Sequence, residues 1–105
     1  MKPKGMGNLM KQAQKMQQQM LKMQEELATR TVSAAAGGGM VEATVNGQGE
    51  LVGLRLEPEV VDPDDVEMLC DLVVAAVGEA QRRAQEMTQQ EMAKLTGGMN
   101  IPGMF

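Results

Sequence analysis

The sequence predicts an α+β fold in the order helix, three antiparallel strands, helix, and three observations carry that prediction. Up to Leu27, apolar residues recur at alternating spacings of three and four. From Thr31 to Glu57 the chain turns to β-branched and small residues punctuated by glycine. From Val66 onward helical spacing returns.

The first helix rests on Met6, Leu9, Ala13, Met16, Met20, Met23 and Leu27, which together make a heptad seam. Glutamine, lysine, glutamate and leucine around it favour helix through about Thr29. Asn8, following Gly5 and Gly7, is the expected amino-terminal cap. Residues 1–7 are therefore expected to be a flexible lead-in, 8–98 a single domain and 99–105 a flexible tail containing Pro102 and Gly103.

Thr31 to Ala36 suits a short strand entering the turn at Gly37, Gly38 and Gly39, a run no helix would continue through. Met40 to Val45 and Glu50 to Glu57 read as two further strands. Asn46-Gly47 between them is a hairpin signal. By the period-two rule Val52, Leu54 and Leu56 share one face of the third strand, expected to be core, while Leu51, Gly53, Arg55 and Glu57 share the other.

Pro58 ends that strand. Asp62, Pro63, Asp64 and Asp65 read as a cap, a first-turn proline and acids favourably placed against the dipole of a second helix. Val66, Leu69, Val73, Val77, Ala80, Ala84 and Met87 keep helical spacing, Leu72, Val74 and Ala76 widen the stripe, and Gly97 and Gly98 mark the stop. Cys70 is read as a small buried hydrophobe. One short sheet cannot cover the whole seam of the first helix, so a leftover apolar stripe predicts self-association.

Composition narrows the function. The chain has no histidine, one cysteine and a single serine, Ser33, so neither the usual nucleophile and base pairs nor the usual zinc ligand sets can be assembled. An enzyme is not expected, nor a cofactor or metal. The twelve methionines could suggest copper(I), but Met16, Met20 and Met23 lie on the seam, where packing is the default. The triple glycine lacks the following Gly-Lys-Ser/Thr of a phosphate loop. Phe105 is the only aromatic, which argues against bases stacked on rings. Nowhere do about eighteen apolar residues follow one another, so the expected place is the cytoplasm and not a membrane.

The net charge of -4 is unevenly spread. Residues 1–30 carry Lys2, Lys4, Lys11, Lys15, Lys22 and Arg30 against Glu25 and Glu26, leaving the remainder strongly acidic. With Met6 at heptad position a, Lys4 and Lys11 fall at f and Lys15 and Lys22 at c, opposite the seam. This stripe is either an ordinary solvated face or a row of phosphate contacts, and Arg82 and Arg83 on the second helix are weighed the same way.

The run GNLMKQAQKMQQQMLKMQEEL from Gly7 to Leu27 is very similar to the amino-terminal helix of the YbaB/EbfC nucleoid-associated proteins. GGGMVEATVNGQGELVGLRLEPEVV, DVEMLCDLVVAAVGEAQRRAQE and GGMNIPG follow in that family's order, so the resemblance covers nearly the whole chain. It implies a two-layer α+β protomer and a homodimer joined through its sheet region, with helices projecting like arms. It also implies binding of double-stranded DNA at the bacterial nucleoid, and a link to replication or recombination proteins. On this reading Lys4, Lys11, Lys15, Lys22, Arg82 and Arg83 are the candidate DNA contacts. The rival reading is a Met-rich homodimeric adaptor whose seam receives a partner protein's helix, without DNA.

Overall fold

The computed structural model of the chain describes residues 4–97, with side chains over 7–95. The order is α1 (Lys4–Thr29), β1 (Thr31–Ala36), β2 (Val41–Asn46), β3 (Leu51–Leu56), a 3-10 turn (Pro58–Val60) and α2 (Val66–Gly97). The helix, three-strand, helix order expected from the sequence is the order observed. The tail expected over 99–105 lies outside the described residues.

Helix α1 begins at Lys4, ahead of the cap expected at Asn8, and takes Gly5 and Gly7 into its first turns. Glycine costs a helix interior only about 1 kcal/mol. Good helix formers on its carboxyl side offset that.

The sheet is antiparallel with strand order β1-β2-β3. Ala34 stands opposite Ala43 and Val41 opposite both Ala36 and Leu56. Gly37, Gly38 and Gly39 close the first turn with φ of 64, 67 and 94°, left-handed conformations that side-chain-bearing residues rarely adopt. At the second turn the Asn46 side-chain oxygen accepts from the backbone N–H of Gln48 (2.9 Å) and Glu50 (3.0 Å), so the turn is tied by its first residue.

Helix α2 lies across β1 and β2. Ala76, Ala80 and Ala84 recur every four residues on its inner face and are buried against Ala34, Val41, Ala43 and Val45. Small side chains there bring the helix axis close to the sheet. Leu69, Leu72, Val73 and Val77 pack around this contact, and Val60 from the 3-10 turn is fully buried in the same core. Each fully buried valine contributes about 1.5 to 3 kcal/mol relative to exposure.

Several sequence-based expectations are corrected here. Only Leu56 of the expected β3 core face packs against the core, while Val52 and Leu54 are exposed. Two causes combine. Helix α2 covers β1 and β2, leaving β3 as an uncovered edge, and the register shifts between Thr44 and Val45, so Leu51 rather than Val52 stands opposite Val45. Val66, Val74 and Cys70 are exposed: Val74 and Cys70 lie off the inner stripe of α2, whereas Val66 keeps the stripe's spacing but is the first residue of the helix. Pro63 stands in a turn ahead of α2 and not in its first turn. Asp62 Oδ1 accepts from the Asp64 N–H (2.9 Å), and it is Asp65 whose carboxylate accepts from the Met68 N–H (3.3 Å) and caps the helix.

Helix α1 is anchored at one end. Leu27 is buried, its carbonyl accepts the Gly47 N–H at 2.8 Å, and Thr88 Oγ1 of α2 donates to the Gly47 carbonyl at 2.8 Å. A Cβ on Gly47 would lie 2.5 Å from the Leu27 oxygen, so only glycine permits this approach. Arg30 adds an ion pair to Glu91 of α2 at 3.0 Å. From this root α1 runs outward, and the molecule extends 78 × 26 × 16 Å.

Candidate nucleic-acid interface

At about 100° per residue, Lys4, Lys11, Lys15 and Lys22 fall within about 40° of arc around the α1 axis. Lys11, Lys15 and Lys22 are all exposed. A rise of about 1.5 Å per residue spreads these three over roughly 16 Å of helix, a span suited to several consecutive phosphates. The side chains of Lys4 and Met6 lie outside the described ones.

The seam occupies the opposite face, and its burial is graded along the helix. Leu27 at the root is buried, Met23, Met20 and Met16 are half-buried, and Ala13 and Leu9 are exposed, Leu9 by 64%. The seam thus serves the core only at its carboxyl end. A shallow hollow of about 400 Å³ lined by Gln12, Lys15, Met16 and Gln19 opens on the outer half of the arm.

Ion pairing separates the cationic residues into two classes. Among the described residues no salt bridge includes Lys11, Lys15 or Lys22. All four arginines are engaged: Arg30 with Glu91, Arg55 with Glu42 and Glu57, Arg82 with Glu79 and Glu86, and Arg83 with Glu79 and with the Ser33 carbonyl. The Arg82 hydrogen bond holds the Glu79 carboxyl below the usual carboxylate range, and the same contact pushes the Arg82 guanidinium up. Arg30 does likewise to Glu91. The structure therefore does not bring Arg82 and Arg83 together with the lysine stripe as free cations. The i,i+3 and i,i+4 spacing of Glu79, Arg82, Arg83 and Glu86 carried this signal in the sequence.

A second cleft, of about 380 Å³, lies between the second hairpin turn and α2, lined by Gly47, Gln48, Gly49, Gln81, Gln85 and Thr88. It offers amides and a hydroxyl but no titratable group. Among the described residues no group of three His, Cys, Asp or Glu side chains could hold a metal ion, and no helix is long and apolar enough to cross a membrane.

The YbaB/EbfC DNA-binding family matches residues 1–99. The chain belongs to that family. A nucleoid-associated protein of Thermoanaerobacter pseudethanolicus is 61% identical over 98 residues, covering 93% of this chain and 88% of that protein. Another, from Pelotomaculum thermopropionicum, is 55% identical over 100 residues and covers 95% of both chains. The crystal structure of an uncharacterized protein of Helicobacter pylori superimposes with a TM-score of 0.73 over 91% of this chain and 98% of that one, at 22% identity. This last likeness speaks for the fold alone.

Proposed function

We propose that this YbaB/EbfC protein is a non-enzymatic nucleoid-associated protein of the bacterial cytoplasm that binds double-stranded DNA as a homodimer, mainly through phosphate contacts from α1. The observation that carries the reading is the row of exposed lysines at 11, 15 and 22, which make no ion pair among the described residues, on a helix that runs clear of the sheet beyond its root. Ammonium groups so placed neutralise backbone charge without reading bases, so sequence preference is weak and salt sensitivity strong. Membership in a DNA-binding family and relatives named nucleoid-associated proteins support the same reading.

The edge of β3 supports the homodimer. Among the described residues no strand lies beside its outer edge, and Leu51, Val52 and Leu54 are exposed on β3. Natural sheets rarely leave an apolar edge uncovered. A second copy pairing on this edge buries those side chains and doubles the lysines delivered to one duplex. Replication or recombination proteins are further partners on this reading, reached through the same nucleoid location.

Fluorescence anisotropy of a labelled duplex of about thirty base pairs tests the proposal, comparing wild type with chains carrying Lys11→Glu, Lys15→Glu and Lys22→Glu. If about six phosphates are neutralised, the log-log salt slope is near minus five in wild type and the triple variant does not bind. Absence of wild-type binding at low salt overturns the proposal and favours the adaptor reading.

A further inference from the structure

We infer that the lysine row of α1, when no DNA holds it, docks on the acidic outer face of α2 in another copy. Free protein then associates head to tail, and duplex dissolves the assembly. The contact itself does not depend on the proposed DNA binding, which enters only as what releases it. The charge of the chain is divided between the two surfaces: residues 1–30 are net basic and the rest net acidic.

On α2, Glu67 and Asp71 stand nine residues before the buried Ala76 and Ala80, which at about 100° per residue puts them directly across the helix axis from the core row. Both are exposed, and among the described residues neither makes an ion pair. Met68 and Val74 border them, 42% and 71% exposed. Just ahead of the helix lie Asp62, Asp64 and Asp65, exposed and likewise without ion pairs.

Helix α1 offers the complement. Lys11 and Lys15 are four residues apart, as are Glu67 and Asp71, so each helix presents a like-charged pair stepped by about 6 Å. Laid antiparallel, Lys11 meets Asp71 and Lys15 meets Glu67. Lys22 then reaches about 10 Å past Glu67, to the turn that holds the three aspartates. The arm's own acids, Glu25 and Glu26, lie rootward of Lys22 and beyond this overlap. Met10 and Leu21, 61% and 54% exposed, stand on the row next to the lysines, as Met68 and Val74 stand next to the acids.

The occupant is another copy because one chain cannot close the contact on itself. The arm is rooted beside Thr88, about 25 Å along α2 from Asp71, and runs outward in a molecule 78 Å long. Each copy therefore carries one arm and one acidic face, and such a head-to-tail contact builds open assemblies. Exposed ion pairs are weak singly and screened by salt. A duplex, with its dense phosphate charge, competes for the same lysines.

Sedimentation velocity of the full chain at about 50 and about 300 mM salt tests the contact, with and without an unlabelled duplex of about thirty base pairs. Wild type is expected to exceed at low salt the size it has at high salt, and the larger species should disappear when duplex is added. Chains with Lys11→Glu and Lys15→Glu, or with Glu67→Lys and Asp71→Lys, carry like charges on both surfaces. Each alone should keep its high-salt size and wild-type helix content, and the two mixed should associate again. A wild type of one size at both salts, or reversed chains that associate alone or fail to combine, overturns the arm-to-face contact. Assemblies that bind duplex yet keep their size overturn the shared lysines. The DNA reading is judged separately by anisotropy: the Glu67→Lys/Asp71→Lys chain keeps all three lysines and should bind labelled duplex at least as tightly as wild type. Failure of both chains to bind sinks that reading and leaves the sedimentation result standing.

Discussion

Helices α1 and α2 are both long, both apolar on one side, and used in opposite ways. Along α2 the inner positions Ala76, Ala80 and Ala84 are buried against β1 and β2, and its arginines are tied to neighbouring carboxylates. Along α1, among the described residues, only Leu27 is buried, and Lys11, Lys15 and Lys22 make no ion pair. The difference lies in what each helix has beneath it. A periodic apolar stripe shows that a helix buries one side, but the surface it meets decides how much of the stripe is covered within the chain.

The same substitution in the two helices breaks or sustains that contrast with the largest effect. Ala80→Leu forces three extra carbons between α2 and the sheet, where Ala80 has no exposed surface, and should destabilise by about 1 to 3 kcal/mol. Ala13→Leu adds the same atoms at an exposed position and should change the stability of the protomer by no more than about 0.5 kcal/mol. Thermal melts of the two variants measure this directly. Equal losses would mean that α1 is packed along its length.

The root of the arm comes next. Gly47→Ala places a methyl 2.5 Å from the Leu27 carbonyl oxygen, and the backbone must shift to accept it. A loss of about 2 kcal/mol is expected, together with faster hydrogen exchange across α1 that leaves the β1 and β2 amides protected. Gly38→Ala is the control. Its φ of +67° strains any side chain, but nothing lies within 4 Å, so it should cost about 1 kcal/mol without loosening the arm.

How legible this was in the sequence depended on whether the signal was local. Asn46-Gly47 marked the second turn, the triple glycine the first, and the heptad spacing marked α1, because each is fixed by residues within a few positions of one another. Val52 and Leu54 were expected to be core by alternation, which cannot know that α2 stops short of β3. Cys70 was assigned to packing by residue type, although Leu69 beside it holds the inner position. The lysine stripe was legible by arc. The pairing of Arg82 and Arg83 was open to reading from the i,i+3 and i,i+4 spacing of Glu79 and Glu86, whereas the absence of ion pairs at Lys11, Lys15 and Lys22 among the described residues needed the side-chain geometry.

That charge difference yields the next prediction. If Lys15 meets a phosphate in each copy, Lys15→Gln should flatten the log-log salt slope by about two, one contact per protomer, and weaken binding at low salt. Arg82→Gln removes a cation already held by Glu79 and Glu86, and should leave the slope unchanged within about half a unit. Anisotropy titrations at several salt concentrations decide between them, and equal slopes for the two variants would erase the distinction between free and paired cations.

The smallest effect concerns Glu79, which ties both α2 arginines at once. Its folded pKa is depressed by the Arg82 hydrogen bond, so the carboxylate stabilises the fold above the ordinary glutamate range, near pH 4.3, and that contribution is lost as pH falls through the depressed value. Melts of wild type and Glu79→Gln should therefore differ most near neutral pH and converge in acid, by a modest amount because the pair is at the surface. Removing the carboxylate also leaves Arg83 with no described carboxylate partner and Arg82 with Glu86 alone. Near neutral pH the Glu79→Gln chain should then bind duplex about two- to threefold more tightly than wild type, with a steeper salt slope. Unchanged affinity would mean that α2 faces away from the duplex, and that α1 carries the contact by its position as well as by its unpaired charge.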